Sequence, residues 1–386
     1  MRARQVLPLL AAVTCVVAVP AAAGAAVDVE MIASGLDNPR HVAISDRGDI
    51  YVAEAGRGGD PATSKSCFNS AEGLACTGAT GAVTRIERRF GDQERIVTGL
   101  ASFAPATGDS AIGPHGIFAA HRAVYVTNGG PTGPTRGTPP ELVLRDPTLV
   151  AEEPISRLFG TVLKLRHDGG VRPIADIWRF ERDNNADGQV GNPLIDSNAV
   201  DVLADGRRLL VADAGGNTLL RRSPRGRLSV LSLFPNVDTP GPGGATIPMQ
   251  AVPTSVVKGP DGAYYVGQLT GFPFPVGGAK VFRVDPATGD RTDYATGFTN
   301  VIDLDFGRDG TLYVLEIDRN SLLGESHDGG LWKVPPGGGT PERIELPAGT
   351  LTEPGGLAVG WKGRLFVSNH AREAGAGEVL EIDLDD

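Results

Sequence analysis

The residues best suited to chemistry in this chain are two histidines and an arginine that lie near the starts of predicted strands. Arg40 and His41 are adjacent, and His115 lies in a second Pro-containing segment. Imidazole can serve as a general base or a metal ligand near neutral pH, and a guanidinium binds anions. We therefore take His41, His115 and Arg40 as candidate catalytic residues. The sequence has no Gly-x-Ser-x-Gly elbow and no zinc-protease histidine spacing, so nucleophilic catalysis has little support.

A second candidate site is the segment Asp183-Asn184-Asn185-Ala186-Asp187-Gly188. Oxygen donors at positions one, three and five, followed by glycine at six, match the first half of a calcium loop, with Asp183, Asn185 and Asp187 as metal ligands. Position twelve is Leu194, so a bidentate ligand would have to come from Asp196 or from elsewhere. A bound Ca²⁺, or another divalent cation, and an ordinary Asn/Asp/Gly turn both remain open.

A repeated unit of short strands must position these residues. Its second strand is a short apolar segment that ends in a polar residue, and it recurs six times, from Ile50-Tyr51-Val52-Ala53-Glu54 to Leu365-Phe366-Val367-Ser368-Asn369. Four short strands per unit at a spacing of roughly 40 to 50 residues are typical of propeller blades. The sequence therefore predicts an all-β, six-bladed β-propeller. An orphan strand at Val29–Ala33 is expected to pair with the last blade and close the ring.

Two sets of polar residues would converge in such a ring. The first strand of each blade lines the central channel, which places further candidates there: Asn198, Thr254, Ser255, Asn300, Asp303 and Glu353. These groups either hold an axial divalent cation or cap strand ends and bind channel water, and we favour the second alternative. The second set comprises the polar ends of the second strands: Glu54, Asn128, Asp213, Gln268, Glu316 and Asn369. Turn capping is favoured here over a ligand-facing ring.

The beginning of the chain and its cysteines point to export. Residues 1–26 contain Arg2 and Arg4, an uncharged apolar run and then small residues, which is the layout of a signal peptide. We expect a single propeller domain over 27–386, secreted and without a membrane span after cleavage. Cys67 and Cys76 are predicted to form a disulfide, because a two-thiol metal site would need a second ligand pair nearby.

Composition limits the partners. The formal net charge is −10, and without a basic run a nucleic acid is an unlikely partner. Three insertions interrupt the first three units, at 56–80, 129–159 and 178–198. Long loops on one face of a rigid scaffold are where binding tends to occur. We expect a monomer that binds a small molecule, a glycan or a protein on this loop face.

Several stretches of the repeat resemble a known family of secreted propellers, the ScyD/ScyE family, which is related to NHL-type propellers. The most specific segment is Leu269-Thr270-Gly271-Phe272-Pro273-Phe274-Pro275. The others are Ile195–Asn198, Ala212–Asn217, Val252–Ser255 and Gly297–Asp303. The resemblance implies the fold and export but no settled reaction. A ligand- or partner-binding scaffold is the first functional hypothesis; the alternative is a metal-dependent hydrolase, lactonase or lyase acting in the central channel.

Overall fold

The computed structural model describes residues 27–384 except 71–72, 90, 121–122, 131–150, 167 and 192–193. The predicted signal peptide and most of the second insertion lie outside these residues. Strands dominate the described part and form six principal sheets. The prediction of an all-β, six-bladed propeller is confirmed. No helix in the described part is long and apolar enough to cross a membrane.

Each blade is an antiparallel meander whose first strand lies innermost. Blade 1 contains β2 (Pro39–Ile44), β3 (Ile50–Glu54), β5 (Gly73–Ile86) and β6 (Gln93–Pro105), with β4 (Cys67–Ser70) added beside β5. Blade 2 contains β7 (Pro114–Ala120), β8 (Ala123–Asn128), β9 (Thr161–Leu165) and β10 (Val171–Asp176). Blade 3 contains β11 (Ala199–Asp205), β12 (Arg208–Asp213), β13 (Thr218–Arg222) and β14 (Leu228–Leu233).

The second half of the ring repeats the pattern. Blade 4 contains β17 (Pro253–Lys258), β18 (Tyr264–Gln268), β19 (Ala279–Val284) and β20 (Arg291–Phe298). Blade 5 contains β21 (Val301–Phe306), β22 (Leu312–Glu316), β23 (Gly330–Val334) and β24 (Glu342–Arg343). Blade 6 contains β25 (Gly356–Val359), β26 (Leu365–Asn369), β27 (Ala374–Asp383) and β1 (Asp28–Asp37).

The ring is closed by β1, as the sequence predicts. This strand pairs antiparallel with β27, from Asp28 opposite Asp383 to Asp37 opposite Ala374. The closure covers a sheet edge that would otherwise present unpaired backbone groups to other chains. The six interfaces between neighbouring blades each enclose a cluster of buried apolar residues. The core is therefore distributed around the ring, with each sheet packed face to face on the next.

The meander places two kinds of connection at opposite ends of the ring. Links from second to third strands and from fourth to first strands share one end, which we call the loop end; the tight hairpins form the turn end. The loop end also carries the helix α1 (Ile177–Asn184) and short 3₁₀ turns at Pro154–Leu158, Ala186–Val190 and Pro242–Gly244. Another 3₁₀ turn, Trp361–Gly363, lies at the turn end.

Two loop-end hairpins differ from the sequence expectation. The third strand of blade 1 begins at Gly73, inside the predicted insertion 56–80, because its first residues pair with β4. Cys67 lies opposite Cys76 in this hairpin, and the two form the predicted disulfide. A second hairpin, β15 (Val237–Pro240) with β16 (Thr246–Met249), was not predicted. Its prolines and glycines resemble coil in sequence, but a two-stranded ribbon tolerates them at its outward edges.

Candidate functional site

The first strands of the six blades surround the channel, and two glycines let them approach closely on one side. A Cβ on Gly356 would lie 2.4 Å from the Cα of His41, and one on Gly116 would lie 2.3 Å from the Cα of Asp201. Real Cβ atoms do not come so near to backbone, so only glycine fits at these positions. The close approach brings side chains of separate blades together on the axis.

A histidine and two aspartates form a buried group at this level of the channel, which we call the axial group. The Nδ1 atom of His41 lies 3.2 Å from Oδ1 of Asp201 and 3.8 Å from Oδ2 of Asp303. Their ligand atoms lie within 4.8 Å of one another and could hold a metal ion. His41 and Asp303 were candidates from sequence; Asp201 was missed. The sequence feature that could have revealed Asp201 is a carboxylate in the middle of the mainly apolar inner strand β11.

The two carboxylates of the axial group connect neighbouring blades. Asp201 accepts hydrogen bonds from the backbone N–H of Val202 and, across the interface, from that of Val256, both at 2.7 Å. Asp303 likewise accepts hydrogen bonds from the backbone N–H of Leu304 and, across the interface, from that of Leu357, each at 2.8 Å. The inner edge of a blade has no further strand to pair with, so these oxygens satisfy its donors.

A proton on His41 can balance charge in the axial group. Burial lowers the pKa of His41, but the negative charges of Asp303 and Asp201 outweigh that effect and raise the pKa to about 9. Burial raises the pKa of Asp303. A metal ion would have to displace the imidazolium proton and compete for oxygens that already join blades 3 to 4 and 5 to 6. The arrangement is therefore that of a buried ion pair that holds the ring together.

His115 lies on the loop side of the axial group, with its ring centroid 5.2 Å from that of His41. Its Nδ1 atom is 2.9 Å from the backbone oxygen of Val200. A carbonyl oxygen can only accept, so Nδ1 carries the proton and Nε2 keeps its lone pair. Burial and the charges of Arg40 and His41 hold the pKa of His115 well below its usual value, which keeps this imidazole neutral.

Arg40, also on the loop side, is a half-buried cation without an ion-pair partner in the described part of the chain. Its Nη2 donates to the backbone oxygen of Ala111 at 2.7 Å, and its buried Nε has no partner. Burial and the charge of Arg372 lower the pKa of Arg40 to about 10. The candidate Glu353 is engaged elsewhere: its Oε1 lies 3.0 Å from both Arg372 Nη1 and His327 Nδ1.

The asparagines proposed for the channel tie loops together instead. Asn198 accepts at Oδ1 from the backbone N–H of Gly130 at 2.8 Å. Asn300 donates to the backbone oxygen of Leu269 at 2.8 Å and accepts from the N–H of Leu322 at 3.0 Å. Both side chains thus link the start of an inner strand to neighbouring connections.

Thr254 and Ser255 are buried at the start of β17. The Thr254 hydroxyl donates to the backbone oxygen of Val301 at 2.8 Å, which joins blades 4 and 5. The Ser255 hydroxyl has no partner among the described residues. A Cβ on Gly267 would lie 2.7 Å from this hydroxyl oxygen, so the packed sheet covers it.

The six polar ends of the second strands are all buried, between 0% and 2% exposed. Four of them accept a hydrogen bond from the backbone N–H of a residue just before an inner strand. These pairs are Glu54 with Asp37, Asp213 with Asn198, Glu316 with Thr299, and Asn369 with Thr352. Asn128 instead donates to the backbone oxygen of Ala101, and Oε1 of Gln268 has no partner in the described part. These four bonds have the geometry of capping.

The three residues of the proposed calcium loop are placed differently from one another. Asp183 lies in the last turn of α1, is 47% exposed and pairs with Arg182 at 2.7 Å. Asn185 ends the helix with φ 40° and accepts at Oδ1 from the N–H of Gly188. Asp187 alone is buried. The helix therefore separates these side chains, which a linear calcium loop would bring together.

The charge of Asp187 instead acts on three other carboxyl groups, and we call the four residues the acidic cluster: Glu181, Asp187, Asp196 and Asp213. Burial, with the charges of Asp213 and Asp187, raises the pKa of Glu181 to about 8 and that of Asp196 to about 8. Burial also raises the pKa of Asp213 to about 6. Glu181 gave no signal in the sequence, because its partners come from other segments.

Two cavities lie near these sites. One of about 500 Å³ opens at the loop end between blades 5 and 6 and is lined by residues that include His327 and Thr352. The other, about 280 Å³, occupies the channel on the turn side of His41. A larger groove of about 740 Å³ lies at the turn end between blades 1 and 2, away from Arg40 and His115.

No family model matches the sequence, and no curated protein matches it. Solved structures do. A gluconolactonase from Xanthomonas campestris matches with a TM-score of 0.54 and 12% identity over 92% of this chain and 89% of its own. A PQQ-bound aldose sugar dehydrogenase from Streptomyces coelicolor matches with a TM-score of 0.51 and 10% identity over 93% and 98%. A streptogramin B lyase matches with a TM-score of 0.49 and 13% identity over 93% of this chain and 98% of its own.

The likeness shows the fold alone. The structural neighbours of this six-bladed propeller include lactonases, sugar dehydrogenases and lyases. A shared propeller does not transfer a reaction, because unrelated functions occur on this fold. The ScyD/ScyE resemblance is not tested by these matches.

Proposed function

We propose that this chain is an exported, ScyD/ScyE-like propeller that binds a small anionic molecule at the loop side of its central channel. The observation that carries the proposal is Arg40, a half-buried guanidinium with no carboxylate partner in the described part of the chain. Burying a cation is unfavourable unless it is paired, so an unpaired guanidinium favours an anion from outside.

The surroundings of Arg40 favour this interpretation. Glu353 is occupied by Arg372 and His327, and the carboxylates of the axial group are occupied by His41 and backbone donors. Arg372 adds a second positive charge, whose effect on Arg40 exceeds the attraction of Glu353. A carboxylate or phosphate ligand would reduce the repulsion between the two guanidinium groups.

The loop end also carries apolar side chains that are open to solvent. Phe272 is 49% exposed, Val276 is 70% exposed and Leu323 is 58% exposed. All three lie in connections between second and third strands. Binding sites commonly combine apolar contact area with a few fixed polar groups. We therefore propose that the ligand has an apolar body as well as a negative charge.

The test is calorimetric titration of the purified protein with a panel of small aromatic and aliphatic carboxylates, each matched with its neutral amide. We expect binding of at least one acid but not of its amide, and a loss of about 1.5–3 kcal/mol in binding free energy for Arg40→Gln. Arg225→Gln is the matched control, because Arg225 is exposed at the turn end. Equal binding of acid and amide, or unchanged affinity in Arg40→Gln, would contradict the proposal.

His115 favours a second candidate, a hydrolase or lyase that uses the same site. Its Nδ1–H is held by the Val200 carbonyl, so Nε2 can take a proton from water or from a carbon next to a carbonyl. For a lactone, water would attack the carbonyl as Nε2 accepts its proton. The imidazolium would then return the proton to the leaving alkoxide, while Arg40 stabilises the oxyanion.

This candidate is tested with a lactone and ester panel, followed by variants of any activity found. His115→Gln should lower kcat about 10²–10⁴-fold with little change in KM, if Nε2 is the base. Retention of full activity in His115→Gln would remove the enzymatic candidate and leave the binding proposal intact. Chelation should not affect this activity, since the proposed step uses no metal ion.

A further inference from the structure

The groove of about 740 Å³ at the turn end is enclosed by blades 1 and 2. A Cβ on Gly169, in the β9–β10 turn of blade 2, would lie 3.5 Å from the backbone oxygen of Ile96 in blade 1. Apolar side chains such as Val124 and Leu165 form much of the wall. The lining also contains charged residues of both signs: Arg47, Arg85, Arg166, Asp46 and Asp49. Its volume is in the range of small-molecule sites.

The corresponding interface between blades 4 and 5 is filled by aromatic rings. Tyr265 packs against Tyr294 and Phe306, with ring centroids 4.7 and 4.8 Å apart. The strand registers give the residues at the same three positions of blades 1 and 2: Tyr51, Ile96 and Ala119. Smaller side chains thus replace two of the three rings, and the third ring lines the groove.

Blade 4 also supplies a carboxylate that blade 1 does not. Oδ2 of Asp261 accepts from Nε of Arg283 at 2.7 Å and from the hydroxyl of Tyr265 at 3.2 Å. Asp261 is the third residue of the turn between β17 and β18. The turn between β2 and β3 closes through the same pair of backbone hydrogen bonds, but its third residue is Arg47. Blade 1 therefore has a cation where blade 4 has the acceptor for a tyrosine and an arginine.

The consequence of this exchange is visible at Arg85. It occupies the position of Arg283 and lies opposite Tyr51. Its Nη2 pairs with the exposed Glu94 at 3.2 Å, but its Nε is buried and has no partner in the described part of the chain. The Oγ atom of Ser45, another lining residue, is also buried without a partner there. Buried donors of this kind are unfavourable unless they meet an acceptor.

We propose that this groove binds a small aromatic carboxylate. The ring of the ligand would pack on Tyr51, in the space that Phe306 fills in the other interface. Its carboxylate would accept from Nε of Arg85, as Asp261 does from the matching arginine. Arg47 places a positive charge at the position of Asp261, which favours an anion over a neutral ligand. The site does not depend on the ligand proposed at the loop end.

The experiment is calorimetric titration of the full-length protein with 2-naphthoate. The neutral match is 2-naphthamide, and the non-aromatic match is cyclohexanecarboxylate. We expect saturable binding of 2-naphthoate, at least about tenfold tighter than that of either match, because only this probe combines the ring with the charge. The titration is repeated in Arg40→Gln, which should retain this binding and so separates it from binding at the loop end.

Ala119→Phe tests the space. It places in the groove the ring that blade 5 has at Phe306, and it should weaken 2-naphthoate binding at least about tenfold by occlusion. Its melting temperature should not fall, because the ring fills a cavity. Ala204→Phe, at the same position of blade 3, is the matched control and should keep the affinity within about twofold of wild type.

Arg47→Asp tests the charge. It restores the carboxylate of blade 4, so the affinity for 2-naphthoate should fall to that for 2-naphthamide. Arg225→Asp is the matched control at an exposed position of the turn end and should keep the preference for the acid. Three outcomes would overturn the site: no saturable binding in the wild type, binding that survives Ala119→Phe but is lost in Arg40→Gln, or an unchanged preference for the acid in Arg47→Asp.

Discussion

The axial group and the acidic cluster are both buried sets of carboxylates, yet they differ in how charge and hydrogen bonds are balanced. In the axial group, Asp201 and Asp303 share the His41 imidazolium, and each accepts two backbone N–H groups. In the acidic cluster, Glu181 and Asp196 each keep an oxygen without a partner in the described part. In the axial group the buried Nε2 of His41 also has no partner in the described part, so the two sets differ in charge balance: only the first contains a positive charge beside its carboxylates.

This difference teaches what a positive charge does among buried carboxylates. The ligand atoms of the three axial residues lie within 4.8 Å of one another. Hydrogen-bond accounting does not separate the two sets, because His41 Nε2, Glu181 Oε1 and Asp196 Oδ1 are all buried without a partner in the described part of the chain. Charge balance does separate them, and stability measurements test that difference.

The largest effect is expected at the axial group. Asp201→Ala would leave the His41 imidazolium and the Val256 N–H without their acceptor, which should lower the free energy of unfolding by about 3–5 kcal/mol. Urea denaturation measures the change. Asp293→Ala, which removes the exposed ion pair with Lys280, should cost less than about 1 kcal/mol. If both variants lose a similar free energy of unfolding, the axial group stabilises the fold no more than a surface ion pair does.

The next effect is a pH dependence with a definite sign. The folded-state pKa of His41 is raised to about 9, so its contribution is fully present below pH 6.5 and is lost as the pH rises through about 9. The free energy of unfolding should fall by up to about 3 kcal/mol over this interval. Denaturation at several pH values tests it, and His41→Gln should flatten the profile. An equal slope in that variant would assign the dependence to other groups.

A smaller effect should follow from crowding the axial group without changing its charge. In Gly356→Ala the new Cβ would meet the backbone at His41 at 2.4 Å, and overpacking of this kind costs about 1–3 kcal/mol. Gly170→Ala is the control, since its Cβ would meet side-chain atoms, the nearest being Oδ1 of Asp168 at 3.1 Å. Thermal melts of both variants give the comparison. An unchanged melt in Gly356→Ala would show that the inner strands are not tightly apposed.

The smallest effect is expected at the acidic cluster, and it should have the opposite sign. Asp196→Asn removes a carboxyl whose ionisation is opposed by burial and by the charges of Asp213 and Asp187, and it should raise the free energy of unfolding at pH 7 by about 1 kcal/mol. Urea denaturation of the variant and the wild type measures the change. A destabilised Asp196→Asn would show that the contacts of this carboxyl outweigh the unfavourable environment.

The fold was predictable because its signal is local. The alternation of apolar residues along each second strand, such as Ile50–Glu54 and Leu365–Asn369, appears with matching bounds in the structure. The strand that closes the ring was also predictable. The first strand of the chain belongs to no unit, and the last unit lacks a fourth strand, so the first strand can supply it. The β15–β16 hairpin was not, because its prolines and glycines hide the pairing.

The sites were less predictable because they depend on partners from different segments. The structure places the candidates His41, His115 and Arg40 near one another, but Asp201 acts through a donor 55 residues away. Glu181 has an ordinary helical sequence context, and its cluster becomes visible only when α1 is placed over blade 3. The calcium-loop pattern could not reveal that α1 leaves Asp183 exposed while Asp187 is buried.

The pairing of β1 with β27 also bears on the order in which the chain assembles. Asp28 and Asp383 are partners in one sheet although almost the whole sequence lies between them. Contacts of such long separation carry the greatest loop-closure entropy and form late. The first strand must therefore wait, unpaired, until the last one exists. Asp28 and Glu30 place negative charges along that waiting edge, which discourages a second chain from pairing there first.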